Sequence, residues 1–206
     1  MKEIWIDQWF FHFVIPTKLV PAKAGSRNQA KAIMEKQPYP VDFESIFECL
    51  NSAGVRYVVV GGVAVVLHGV DRLTADLDLV IELTPESSRK AIEALLAAGF
   101  RAKIPADPRG FADPQTRREW ISEKHMQVLS FWDTTRRRPD VDIFVEYPLD
   151  FETLYTQSIP VALGRSNCRI ASVEHLIRMK QKAGRAKDIK DIEELRERGN
   201  INKDPE

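Results

Sequence analysis

The chain has 206 residues, 44% of them hydrophobic and 29% charged, enough apolar material for one sizeable core. Lys plus Arg and Asp plus Glu number 30 each, so the formal net charge is zero, which excludes a globally basic nucleic-acid-binding surface. Cys49 and Cys168 stand far apart without metal-ligand spacing, which argues against a disulfide scaffold and suits a reducing cytoplasm.

Residues 1–40 read differently from the rest. The opening MKEIWIDQWFFHFVIP is aromatic but carries Glu3 and Asp7 and lacks a small-residue cleavage site, so it is not read as a signal peptide. A polar segment closed by Pro-Tyr-Pro follows, and residues 1–40 are expected to form an extension with little structure. Met34 offers a second start, which would leave residues 1–33 outside the native chain. Residues 41–198 are expected to form one domain ahead of a tail at 199–206. The longest apolar stretch, Tyr57 to Val70, is shorter than the ~20 residues a spanning helix needs, and no membrane association is expected.

In DFESIFECLNSAG, Phe43, Ile46, Phe47 and Leu50 recur at helical spacing, with Asp42 as N-cap and Gly54 as stop. VRYVVV is a buried-type strand running into Gly61-Gly62, and VAVVLHG forms a short helix. DLDLVIEL is the next strand. TPESSRKAIEALLAAGF is a helix capped by Thr84, opened by Pro85 and closed at Gly99. FRAKI and MQVLSFW are strands, and the intervening PADPRGFADPQTRRE reads as a polar loop. RPDVDIFVE is a strand, LDFETLYTQS a short helix, and IPVALG with CRIAS a pair of short strands. SVEHLIRMKQKAGRAKDIKDIEELRERG makes two helices broken at Gly184, the first capped by Ser172. The expected class is therefore α+β (mixed α/β), a mixed sheet flanked by helices with C-terminal helices.

Asp76 and Asp78 lie one residue apart inside an apolar strand. Side chains alternate between strand faces, so both point the same way while Leu77, Leu79 and Ile81 point the other. Burying two like charges together raises a carboxyl pKa unless a cation sits between them. Hard oxygen donors of this kind suit Mg²⁺ or Mn²⁺ better than zinc. DVDIFVE repeats the pattern with Asp140 and Asp142, of which Asp142, deeper in the run, is the better third ligand. Three carboxylates can hold two divalent ions for phosphoryl or nucleotidyl transfer. Gly61-Gly62, between a strand and a helix, can admit a phosphate to backbone N–H groups, or can be a tight turn. His68 reads as a satisfied core histidine. Arg136 to Arg138 read as a solvated loop, or as a steering patch for an anionic substrate such as tRNA. Trp120 and Trp132 read as packing residues.

The order of Gly61-Gly62, thirteen residues, Asp76-Leu-Asp78 and a later Asp142 resembles the signature of the nucleotidyltransferase superfamily with the DNA polymerase β-type fold. GGVAVVLHGVDRLTADLDLVI, with His68-Gly69 and Arg72-Leu-Thr74, is similar to the small bacterial AbiEii-like group. That group's C-terminal pattern is matched at Leu176, Ile177, Lys180, Ala183 to Arg185, Lys187-Asp188 and Asp191. The resemblance spans about residues 41–198. It implies transfer of a nucleoside monophosphate from an NTP with release of pyrophosphate. Asp76, Asp78 and Asp142 would be the catalytic and metal-binding residues, and Gly61, Gly62, Arg72, Thr74 and Lys180 the nucleotide-binding set. Arg72 and Thr74 also read as hydrogen-bonding groups that position the strand. The implied acceptor is an RNA (tRNA) or a protein, and the implied role a toxin with a cognate antitoxin. Two alternatives stay open: an inactive relative that binds nucleotide or protein, and a small-molecule (antibiotic) nucleotidyltransferase.

Overall fold

Seven strands form one mixed sheet in a computed structural model that describes residues 42–201; the readings for the N-terminal extension lie outside these residues. In chain order the elements are α1 (Glu44–Ser52), β1 (Tyr57–Val60), α2 (Gly61–Leu67), β2 (Asp76–Ile81), α3 (Pro85–Ala97) and β3 (Phe100–Ala102). A 3₁₀ turn (Pro108–Ala112), α4 (Pro114–Lys124), β4 (Val128–Asp133), β5 (Asp140–Phe144) and α5 (Phe151–Thr156) follow. The chain ends with β6 (Ile159–Leu163), β7 (Ser166–Ile170), α6 (Val173–Ala183) and α7 (Ala186–Ile201).

The strand order is β3-β4-β5-β2-β1-β7-β6. β2 runs parallel to β5, and β1 parallel to β7; the remaining neighbours are antiparallel. The expected mixed sheet flanked by helices with C-terminal helices is thus what the chain forms. Val58, Val59 and Val60 are all buried, so the centre of the sheet is covered on both faces. In β2 the cover is uneven: Leu79, Val80 and Ile81 are buried, but Asp76 is exposed and Asp78 only partly buried. The acidic end of the strand therefore projects from the packed region. Among the described residues no helix is long and apolar enough to cross a membrane.

Local chemistry explains most boundaries. The Thr84 hydroxyl accepts from the Ser87 backbone N–H, Asp150 from Thr153 and Ser172 from His175, each satisfying a donor that the first helical turn leaves free. Asp42 accepts from the Ser45 N–H, although the position before the helix proper is Phe43. One expectation is corrected. The segment read as a polar loop before β4 contains the 3₁₀ turn and α4, an 11-residue helix. It buries only Arg117 and Trp120, so it lacks an apolar stripe. Its start was nevertheless written in the chain: Asp113 caps Gln115 and Thr116, and Pro114 occupies the first turn.

The Arg136 to Arg138 run also resolves into specific contacts. Arg138 donates to buried Asp133 at 2.7 Å and lies 4.2 Å from the Phe100 ring centroid, while Arg136 stacks over Trp132 at 4.7 Å. His68 Nε2 lies 2.8 Å from the Ala171 carbonyl oxygen, consistent with a satisfied core histidine.

Candidate active site

The candidate carboxylates come together through strand register. Asp78 sits opposite Asp142, and Asp76 opposite Asp140, on the parallel pair β2–β5. Same-face positions on adjacent strands are about 5 Å apart, close enough for charges to interact strongly when partly buried. Burial, then the neighbouring Asp142, push the Asp78 carboxyl up to about 6, against a backbone hydrogen bond from Gly62 and the charge of Arg185. Asp76 is raised by burial first, then by Asp142 and Asp140, with Lys103 and Lys187 acting the other way. Asp140 is already paired: its carboxylate takes an ion pair from Lys103. Among the described residues Asp142 forms no ion pair.

The glycine pair is packed directly against these acids. Register places Val60 opposite Asp78, so Gly61 begins α2 just beyond that pair. Gly61 has φ +62, and a Cβ there would lie 1.9 Å from Asp78 Oδ2. A Cβ on Gly62 would lie 2.3 Å from Thr74 Oγ1 and 3.4 Å from the Arg72 guanidinium carbon. The pair is therefore required by close approach of the acidic strand and of the loop before it. Gly61→Ala is expected to displace the Asp78 carboxylate and destabilise by about 2–4 kcal/mol, the left-handed strain and the overlap together. Gly54→Ala is the control, because Gly54 has φ +66 with nothing within 4 Å of its added Cβ. Urea unfolding of both variants separates strain from overlap; equal losses would remove the overlap argument.

Lys180 stands somewhere other than expected. It is 6% exposed, and its ammonium lies 2.5 Å from Asp191 and 3.4 Å from Asp188. Arg72 pairs with the same Asp191. Both cations read as nucleotide-binding are thus engaged by carboxylates of α7. The cations whose charge reaches the acidic cluster are instead Arg185, Lys187 and Lys103. Sequence reasoning assigned none of them a role. The available signal was the three-residue spacing of Arg185, Asp188 and Asp191, which places one cation and two acids along one helix face.

Among the described residues no group of three or more His, Cys, Asp or Glu side chains stands ready-made to hold a metal ion. The donor chemistry nonetheless fits a hard divalent cation: carboxylate oxygens only, on one face, with a pKa raised by their mutual repulsion and burial.

No family profile matches the chain, and no curated protein matches it. Solved structures do. The crystal structure of the lincosamide antibiotic adenylyltransferase LnuA, lincomycin-bound, is 16% identical at a TM-score of 0.50, covering 76% of this chain and 97% of that one. The solution structure of the antibiotic-resistance factor ANT(2'')-Ia is 13% identical at a TM-score of 0.49, covering 82% of each chain. An antigenic nucleotidyltransferase-like protein from Paracoccidioides brasiliensis is 17% identical at a TM-score of 0.48, covering 77% of this chain and 78% of that one. The fold is of the nucleotidyltransferase type.

Proposed function

We propose that this domain is an enzyme transferring a nucleoside monophosphate from an NTP to an acceptor hydroxyl, with release of pyrophosphate. The observation that carries the reading is the register of Asp76 and Asp78 against Asp140 and Asp142, beside a glycine pair that leaves no room for a side chain. An assembly of ionised acids this costly to bury calls for a cationic ligand.

Asp76, Asp78 and Asp142 would hold Mg²⁺ or Mn²⁺, and closing them on it takes rotation about their side-chain torsions. When bound, the metal neutralises triphosphate charge and favours the attacking oxygen. Asp142 accepts the proton of the acceptor hydroxyl. The freed oxygen forms a bond to the α-phosphorus, the bond from that phosphorus to the bridging oxygen breaks, and pyrophosphate carries the electron pair away. Gly61 and Gly62 let phosphate oxygens approach the main chain, although the Gly62 N–H is shared with Asp78. Arg72 and Thr74 bear on the nucleotide through the shape of this turn.

The acceptor proposed first is an RNA (tRNA) or a protein, and the toxin role with a cognate antitoxin follows the sequence resemblance. A small-molecule acceptor is the second reading, favoured by the lincomycin-bound adenylyltransferase that shares the fold. An inactive nucleotide- or protein-binding relative is the reading the acids argue against, since a chain freed from catalysis gains stability by neutralising them. The test is incubation with Mg²⁺ and each labelled NTP in cell extract, and separately with a purified lincosamide. Label on RNA or protein is expected, lowered about 10²–10⁴-fold by Asp142→Asn. No transfer with any NTP, and no difference from Asp76→Asn or Asp142→Asn, would overturn the enzyme reading.

A further inference from the structure

A circuit of ion pairs runs from Arg72 to Arg185, and its centre is buried Lys180. On one side, Lys180 meets Asp191, which also pairs with Arg72, whose guanidinium carbon would lie 3.4 Å from a Cβ on Gly62. On the other, Lys180 meets Asp188, which holds Arg185 through Nε at 2.8 Å and through its backbone N–H at 3.2 Å. That backbone bond is the reach-back half of a capping box, with Asp188 in the first turn of α7 and Arg185 just before it. Gly184, at φ +65, ends α6 and turns the chain so that both helices face the same buried cation.

The burial of the circuit is graded. Asp188 is 0% exposed and Asp191 and Lys180 6% each, whereas the Arg185 side chain is 60% exposed. Two buried acids sharing one buried cation leave one negative charge uncompensated, and each acid also meets a second cation. Arg72 supplies it for Asp191, and Arg185 for Asp188. Arg185 is thereby held through Nε at 2.8 Å and Nη2 at 3.3 Å, which leaves Nη1 as the nitrogen not committed to Asp188, on an exposed side chain within electrostatic reach of Asp78.

We propose that Lys180 is a positioning residue that fixes Asp188, and through it Arg185, so that the exposed guanidinium and the acidic pair grip one NTP from opposite sides. The inference rests on the proposed nucleotidyl transfer and names the residue that holds the triphosphate and the residue that aims it. A guanidinium already anchored at Nε and Nη2 loses little freedom when Nη1 meets a phosphate.

The test uses the whole chain and two readouts. The first is the NMR order of the Arg185 Nε–H group without nucleotide, in wild type, Lys180→Gln and Lys180→Arg. Order is expected in wild type, lost in Lys180→Gln, and largely restored in Lys180→Arg. Lys180→Gln keeps hydrogen-bond donors toward both acids; Ile189→Lys at the exposed face of α7 serves as a variant outside the circuit. The second is titration with Mg²⁺ and ATP, GTP, CTP or UTP, following binding by calorimetry. Arg185→Gln and Lys180→Gln are each expected to weaken binding about tenfold, and the double variant no further. A purely structural Lys180 would lower the melting temperature yet leave the binding of the folded fraction unchanged. An Arg185 Nε–H that stays ordered in folded Lys180→Gln, or losses that multiply in the double variant, would overturn the proposal. Wild-type protein that binds no NTP would instead overturn the nucleotidyl-transfer reading, while the Nε–H readout still decides the positioning role.

Discussion

Asp78→Asn is expected to raise the melting temperature of the metal-free protein by about 5 °C near pH 7.5 while removing nucleotidyl transfer. Burial and the facing Asp142 lift the Asp78 carboxyl from 3.8 to about 6. The folded chain then binds this proton more tightly than the unfolded chain does. The penalty for ionised Asp78 is absent below 3.8, grows as pH rises toward about 6, and is complete above it. At 1.36 kcal/mol per unit the gap is worth about 2–3 kcal/mol, and asparagine keeps the shape and the acceptor for Gly62 without the charge. A domain of this size gains about 2–4 °C per kcal/mol. Thermal melts in a chelator near pH 7.5 and near pH 4 check the sign: the gain should vanish at the lower pH. Added Mg²⁺ or Mn²⁺ should stabilise the wild type and not the variant. A variant less stable than wild type near pH 7.5 would show that the acidic pair carries no stored repulsion.

The second large effect is of the opposite sign. Asp133→Ala is expected to destabilise by about 3–5 kcal/mol, because it takes an acceptor at once from the partly buried Arg138 guanidinium and from several main-chain donors. The Asp133 side chain is fully buried. Burial alone would raise its pKa, but hydrogen bonds from Arg138, Thr135 and Arg137 outweigh that and hold it well below the ordinary carboxylate range. Five donations reach it: the backbone N–H groups of Thr135, Arg137 and Arg138, the Thr135 hydroxyl and the Arg138 guanidinium. With a depressed pKa, this stabilisation is fully present above 3.8 and is lost as pH falls below it. Asp133 closes β4, and the loop it ties leads straight into Asp140 and Asp142. Urea unfolding measures the loss, and an acid titration of wild type against Asp133→Asn should show the variant less sensitive to pH below 4. An Asp133→Ala change costing less than about 1 kcal/mol would mean the loop is held by other contacts.

These two aspartates show what sequence reading can and cannot reach. Asp78 announced itself because alternation with leucine is a local pattern whose meaning needs no partner. Asp133 directly follows the stretch read as the strand MQVLSFW and gave no sign of its burial, since its donors lie in an arginine run that also suits a solvated loop. Helix α4 was passed over for a related reason: it packs through one tryptophan and one arginine, so periodicity was silent and only Asp113-Pro114 spoke for it. Lys180 reads from the sequence as a nucleotide-binding candidate, but its surroundings were not legible. A lysine on a helix reads alike whether it meets water, phosphate or two buried acids.

What the sequence determined by itself is therefore local. The caps at Thr84, Asp150 and Ser172, the same-face acids of DLDL and DVDI, the glycine pair and the break at Gly184 depend on backbone sterics, hydrogen bonds a few residues long, and the two-residue period of a strand. Tertiary structure alone decided which carboxylates meet. β5 lies beside β2 although two strands and three helical segments separate them in the chain, and only that parallel pairing sets Asp142 opposite Asp78. It also decided which cations remain open to a ligand. α6 and α7 fold together over Lys180 because two buried carboxylates need a buried positive charge, and this leaves Arg185 facing the acids. Pairings across sixty or more residues depend on the whole apolar core closing in one arrangement, and no window of sequence carries that information.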